Sequence, residues 1–139
     1  MTRHPATLCT LLTLCTVLAA CGDVVYADDI QPIWTASCAN SLCHDGEVDD
    51  PDLGEELNLS AGVSYGALVG VAAAQVPDLN LVEPGDADAS YLWHKLNNTH
   101  EQVGGEGGCM PYLLCTSLTQ KQLDSIESWI VAGALEAPQ

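Results

Sequence analysis

Cys38, Cys43 and His44 lie within seven consecutive residues, and no other segment of the sequence brings two thiols and an imidazole so close together. The fold must either let the two thiols form a disulfide or use them, with the imidazole, to hold a metal ion or a prosthetic group. A disulfide, a metal ion or a prosthetic group would each fix the position of this segment in the fold. This run therefore constrains the fold more than any other part of the chain.

The composition restricts the size and the partners of the protein. At 139 residues, 47% of them hydrophobic, the chain can bury one core of ordinary size but is too short for two full domains. Nineteen acidic residues against three basic ones give a formal charge of -16. Such a charge repels nucleic acid phosphates and anionic lipid headgroups. We therefore expect no nucleic acid partner, and any charged macromolecular partner should be basic.

The N-terminal segment has the pattern of a secretory signal. Arg3 and His4 form a short basic end, and residues 11–20 form an apolar run that is too short to span a bilayer. Residues 18–21, with the sequence LAAC, resemble the bacterial lipobox, in which Cys21 becomes the lipidated first residue of the mature protein. An ordinary signal peptide and a buried core helix are the alternatives.

The lipobox divides the sequence into a lipoprotein signal peptide over residues 1–20, a short membrane-proximal linker over 21–27 and one domain over 28–139. We expect an exported protein that is lipid-anchored through Cys21 in the bacterial cell envelope, either periplasmic or at the outer membrane. Four cysteines remain in this oxidising compartment. They are Cys38, Cys43, Cys109 and Cys115.

Apolar periodicity predicts helices at both ends of the domain. Near the N-terminus, Ile30, Ile33 and Trp34 share one face of a short helix that begins at the N-capping aspartates, Asp28 and Asp29, and ends before the first cysteine of the run. At the other end of the domain, residues 118–134 predict an amphipathic helix.

Capping signals fix the C-terminal helix. Thr119 and Gln122 form a capping box at the start of the helix, with Leu118 and Leu123 as its hydrophobic staple. Gly133 is at the position of the C-terminal cap. Two further helices are expected. One follows Ser60, with Tyr65, Leu68 and Val69 inward, and the other runs over residues 88–96 with Asp86 as its N-cap. No strand pattern of any length is present, so the sequence predicts an all-α domain.

The chain carries no signature of a hydrolase or a nucleotide-binding enzyme. Residues 45–56 are rich in acids but do not match a helix-loop-helix calcium site, and no Lys-Ser or Lys-Thr follows the glycines of residues 104–108. Late in the chain, Met110 and Pro111 follow those glycines directly after Cys109.

The order of these features resembles a small class I monohaem c-type cytochrome. A helix leads into a Cys...Cys-His run, a Met-Pro pair stands in a late loop, and an amphipathic helix closes the chain. Residues 29–33, 84–86, 90–92 and 118–134 are also similar to phrases of the haem domains of exported bacterial proteins. The resemblance covers about residues 28–134, nearly all of the mature chain.

The resemblance implies an all-α bundle of about four helices, joined by long loops around one covalently bound haem c. Cys38 and Cys43 would form the thioethers, His44 would be the proximal iron ligand and Met110 the distal one. With both axial positions filled, the haem would transfer single electrons. We therefore expect an electron carrier or a haem subunit rather than a stand-alone enzyme, with a redox partner that has a basic docking face.

The sequence departs from the family pattern in its cysteines. Four residues, rather than two, separate Cys38 from Cys43, and this spacing needs a bulge in the backbone. Cys109 and Cys115 are additional, and a disulfide between them would fix Met110. His94 and His100 compete with the methionine for the sixth coordination position.

Two readings without haem use the same residues. In the first, Cys38–Cys43 and Cys109–Cys115 disulfides staple an envelope lipoprotein that acts as an interaction or structural module. That reading accounts for the cysteines but not for the adjacent His44 or for the Met-Pro pair. In the second, Cys38, Cys43, His44 and Cys109 hold zinc, although their spacing is poor for a zinc site.

Overall fold

A computed structural model describes residues 24–39, 43–46, 57–112 and 117–137 of the chain. The predicted signal peptide and the lipidation site at Cys21 lie outside these ranges, and so does Cys115. The domain boundaries and the lipid anchor therefore stay predictions.

Four α-helices make up the described regular structure, and long loops connect them. They are α1 (Gln31–Ser37), α2 (Ser64–Leu68), α3 (Tyr91–Leu96) and α4 (Gln120–Val131). A π-helical turn, Tyr26–Ile30, precedes α1, and a 3-10 turn, His100–Val103, follows α3. Within the described ranges there is no strand, and the extended segments pair only through isolated bridges such as Val69 with Val82. The predicted all-α fold of about four helices is confirmed.

The first helical segment begins earlier than the sequence predicts. The aspartates are not its N-cap, because Val25 occupies that position and Asp29 lies within the first turn, where its carboxylate accepts the N–H of Val25 at 2.8 Å. The helix extends backwards because Tyr26 is buried, with its ring 5.2 Å from that of Tyr65 and 5.1 Å from that of Trp129. Tertiary packing thus moved a boundary that local capping signals had placed later.

The core joins the two ends of the domain. The apolar faces predicted for the first and last helices are buried together with residues of the intervening loops. The largest fully buried apolar side chains are Trp34, Trp129, Ile30, Leu68, Ile126, Ile130 and Val82. Burial of side chains of this size contributes most of the free energy that favours folding, so α1 and α4 have fixed positions.

The capping box of α4 is present as predicted. The Thr119 hydroxyl accepts the N–H of Gln122 at 3.3 Å, and the Gln122 side-chain oxygen accepts the N–H of Thr119 at 2.8 Å. Leu118 is buried, and Leu123 packs against the core. Gly133 ends the helix with φ of +102°, a conformation that glycine adopts without steric cost.

The two middle helices are shorter than the sequence predicts. Ser60 does not cap α2 with its side chain, because its hydroxyl donates to the carbonyl of Asp45 at 3.3 Å. Asp86 accepts the N–H of Ala89 at 3.1 Å in a turn that lies before α3, so the helix starts only after Ser90. Among the described residues, no helix has the length and apolarity needed to cross a membrane.

Candidate functional site

Helix α1 delivers the first cysteine of the run. Cys38 follows its last residue, and the carbonyl of Trp34 accepts the N–H groups of both Cys38 and Ala39 at 2.8 Å. Because Trp34 is fully buried, this end of the helix is held against the core, and Cys38 is itself only 7% exposed. Cys43 is half-buried, and both cysteines are free thiols. The disulfide between them that the haem-free alternative requires is not formed.

A main-chain hydrogen bond closes the four-residue gap between the cysteines. The N–H of His44 donates to the carbonyl of Cys38 at 3.0 Å, while residues 40–42 lie outside the described ranges. The carbonyl of His44 in turn accepts the N–H of Leu59 at 2.8 Å. The backbone of His44 therefore lies within hydrogen-bonding distance of the backbone of Cys38 despite the longer spacing.

The imidazole of His44 is set up as a neutral group with a free ring nitrogen. Burial lowers the pKa of His44, and a hydrogen bond to the backbone of Leu57 only partly opposes this effect. Its Nδ1 atom is buried and, within the described ranges, has no hydrogen-bond partner. A buried polar atom without a partner is uncommon and calls for an explanation. A neutral imidazole with an available nitrogen is also the form that binds metals.

The two thiols lie close enough to influence each other. Burial raises the pKa of Cys38 to about 12, and the negative charge that Cys43 carries when ionised adds to this effect. In the folded chain Cys38 is therefore a protonated thiol that behaves as part of the hydrophobic core. Thiolate, rather than thiol, is the reactive form of cysteine.

Met110 packs against the same core cluster that contains Cys38, and it is itself half-buried. Its N–H donates to the main-chain carbonyl of Lys95, at the end of α3, at 3.0 Å. The glycines that precede it allow close packing, since a Cβ atom on Gly105 would collide with the Tyr91 ring. The structure thus ties the methionine and the first cysteine to one hydrophobic cluster.

Lys95 is a residue of this site that the sequence reasoning missed. It is only 9% exposed, and its ammonium group donates to the carbonyls of Glu106 at 2.6 Å and Gly108 at 3.0 Å. Burial lowers the pKa of Lys95. The sequence offered one weak signal for a role of Lys95. It is one of only three basic residues in the chain, and it stands next to the apolar Leu96 in a predicted helix.

The two rival histidines differ in their free ring nitrogens. Both nitrogens of His94 are engaged, Nδ1 with the hydroxyl of Thr99 at 2.9 Å and Nε2 with the carbonyl of Asp88 at 2.8 Å. His100 is 2% exposed, and its Nε2 pairs with the carbonyl of Gly107 at 2.9 Å, while its Nδ1 is buried without a partner. Of the two rivals, His100 is therefore the one that keeps a nitrogen available.

Cys109 is buried and disulfide-bonded. Its predicted partner, Cys115, lies outside the described residues, so that pairing stays a prediction. A disulfide sulfur cannot serve as a thiolate ligand, and in the described part of the chain no group of three or more potential metal ligands comes together. The structure therefore gives the zinc reading no support.

A known structure contains a similar fold. No family model matches the sequence, and no curated protein is similar to it. A solved structure of hydrazine synthase from Kuenenia stuttgartiensis matches with a TM-score of 0.55 and 25% sequence identity, over 84% of this chain and 17% of that one. This chain thus spans less than a fifth of the length of that protein. The likeness is to a segment of a larger chain and concerns the fold.

Proposed function

We propose that this protein transfers single electrons through one covalently bound haem c. Cys38 and Cys43 would form thioethers with the vinyl groups of the haem, His44 would be the proximal ligand of its iron and Met110 the distal one. When bound, the haem supplies a reversible one-electron couple between ferrous and ferric iron. The protein residues hold it, exclude water from it and set its potential.

One observation carries this proposal. Two free thiols lie in the same short run as a half-buried imidazole whose pKa is lowered by burial and whose Nδ1 atom has no hydrogen-bond partner among the described residues. Burying such a nitrogen without a hydrogen bond costs free energy, and a ligand to that nitrogen would remove the cost. The thiols, the imidazole and the thioether of Met110 are the donor types of a His/Met c-type haem, so the residues present fit the group.

The choice of electron transfer over catalysis follows from the number of ligands. A haem iron with both His44 and Met110 bound has no open position for a substrate. The hydrophobic cluster that contains Cys38 and contacts Met110 would give the haem a low-dielectric surrounding. His100 is the second candidate for the distal position, because one of its ring nitrogens is buried and unpaired. A bis-histidine haem would also transfer electrons, at a lower potential.

The location and the partner belong to the same proposal. The lipobox supports an exported protein that is anchored through Cys21 in the bacterial cell envelope, either periplasmic or at the outer membrane. With a formal charge of -16, the protein would attract a redox partner through a basic docking face and would do so more strongly at low ionic strength. The likeness to a segment of a larger chain is compatible with a haem subunit as well as with a separate carrier.

A haem-free, disulfide-stapled lipoprotein is the second candidate. The disulfide at Cys109 favours it, because it supplies one of the two staples that this reading needs. The free thiols at Cys38 and Cys43 count against it. In this reading the protein would act as an interaction or structural module of the envelope.

Covalent haem can be tested by exporting the full-length protein in a bacterium that has c-type haem maturation proteins. We expect an intact mass that includes one haem and a reduced spectrum with c-type bands. The C38S and C43S variants should each retain one thioether, so their pyridine haemochrome bands should move to longer wavelength. The double variant should lose covalent haem. His94→Gln is the matched control for His44→Gln, because both change a histidine but only His44 is expected to ligate iron.

An intact mass without haem, together with a Cys38–Cys43 disulfide in the exported protein, would contradict the proposal and support the second candidate. Covalent haem that persists in H44Q with an unchanged spectrum would instead show that the proximal ligand lies elsewhere.

A further inference from the structure

The loop that carries Met110 has little intrinsic order. Residues 104–108 contain four glycines, and glycine loses more conformational freedom on folding than any other residue. A segment of this kind holds a side chain in one place only if groups from elsewhere in the fold fix its backbone.

Lys95 makes three of the hydrogen bonds that fix this loop. Its ammonium group donates to the carbonyls of Glu106 and Gly108, and its own carbonyl accepts the N–H of Met110. One residue therefore contacts the loop at three alternate positions that end at the methionine. Hydrogen bonds from an ammonium group are stronger than those between neutral groups, and here they are formed by a side chain that is 9% exposed.

His100 holds the position between the two that Lys95 binds. Its Nε2–H donates to the carbonyl of Gly107 at 2.9 Å, and its main-chain carbonyl accepts the N–H of Gly105 at 2.8 Å. Three successive carbonyls of the loop, those of residues 106, 107 and 108, are thus bound by buried side chains from α3 and the turn after it.

The use of a lysine at this place is informative because the chain has so few. Of its two lysines, Lys121 is exposed on α4, whereas Lys95 is buried against neutral carbonyls. A methionine or leucine at position 95 would fill the same space in the core without any cost of burying a charge. The ammonium group is therefore explained by what it binds, which is the loop that leads to Met110.

We propose that Lys95 is a positioning residue that holds Met110 in place for ligation to the haem iron, with His100 supporting the same loop. This inference rests on the proposed haem function. Lys95 would affect how often the bond between Met110 and the haem iron opens. Removing its ammonium group should let Met110 leave the iron more often.

Competition with imidazole measures that effect in the haem-loaded, full-length protein. Imidazole can bind ferric iron only when the methionine has left, so its apparent affinity is proportional to the fraction of molecules in the open state. In K95M the backbone carbonyl at position 95 still accepts the N–H of Met110 and His100 still donates to the loop, so only part of the free energy of the two lost bonds acts on the methionine. We therefore expect K95M to bind imidazole about 10- to 100-fold more tightly. The methionine-to-iron charge-transfer band of the ferric protein should weaken in parallel.

Two matched variants separate positioning from general effects. Lys121→Met removes the same charge from an exposed site and should leave both imidazole affinity and the charge-transfer band unchanged. Lys95→Arg keeps several donors in the same place and should restore most of the methionine ligation. If K95M does not accumulate with haem, K95Q takes its place, because it retains an amide donor and should show a smaller increase in the same direction.

The outcomes distinguish this inference from the proposed function. Haem-loaded K95M or K95Q with the imidazole affinity and charge-transfer band of the unsubstituted protein would overturn the role of Lys95 and leave electron transfer intact. Loaded protein that lacks the methionine band before any substitution would overturn it too, with another residue as sixth ligand. Unsubstituted protein without covalent haem would refute the proposed function itself.

Discussion

The burial of Cys38 predicts that its thiol is almost unreactive in the folded, haem-free protein. Burial raises its pKa from 9.0 to about 12, with a smaller contribution from the charge of Cys43. At about pH 8 the thiolate fraction is then about one in ten thousand, against roughly one in ten for the unfolded chain. Since only the thiolate is alkylated, folding should slow the reaction about a thousandfold before any steric protection is counted.

Alkylation with iodoacetamide, in the absence of reductant, measures this ratio. The haem-free protein is labelled for different times in buffer and in urea, quenched and digested, and the peptide that contains Cys38 is quantified by mass spectrometry. Cys43, which is half-buried, serves as the internal control for reagent access. In C43S the labelling of Cys38 should change little, because burial is the larger cause of its raised pKa.

A native labelling rate for Cys38 within about tenfold of the rate in urea would refute this reasoning, because it would mean that the thiol is neither desolvated nor held in the core. If the prediction holds, the thioether at Cys38 can form only while the chain is open around it. Haem attachment would then precede the final burial of Cys38 in the hydrophobic core.

Two further predictions concern stability. Thr119→Ala removes the N-cap hydrogen bond of α4 and should therefore lower the free energy of unfolding by about 1 kcal/mol. Urea denaturation measures this change. Gln120→Ala, which changes no capping group, is the control. Stability should fall as the pH rises above about 9, because burial raises the pKa of Cys38 and that of Tyr26, and the unfolded chain releases both protons first. Tyr26→Phe should reduce the slope above about pH 10 without abolishing it, since burial raises the pKa of Cys38 and of Tyr91 as well, and an unchanged slope would contradict the assignment.

The features of the fold that the sequence predicted are those that depend on neighbouring residues. Thr119 and Gln122 are three positions apart, and their reciprocal hydrogen bonds need no other part of the chain. The buried face of Ile30, Ile33 and Trp34 follows from helical periodicity in the same way. The middle helices were less predictable, because glycines and competing turns left their length to long-range contacts.

For the candidate site, the sequence determined which chemical groups are near one another along the chain. It placed His44 directly after Cys43 and Met110 in a glycine-rich loop. The assignment of these residues as haem ligands stays a prediction, as do the lipid anchor, the pairing of Cys109 with Cys115 and the redox partner.

Only the tertiary structure decided how these groups are buried and what holds them. The sequence could not reveal that Cys38 lies in the core, that Lys95 is buried or that the Nδ1 atom of His44 has no hydrogen-bond partner in the described part of the chain. A lysine is normally solvated, and local pattern gives no reason to expect one inside. Its burial depends on carbonyls 11 and 13 residues further along the chain, which only the folded backbone brings to its ammonium group.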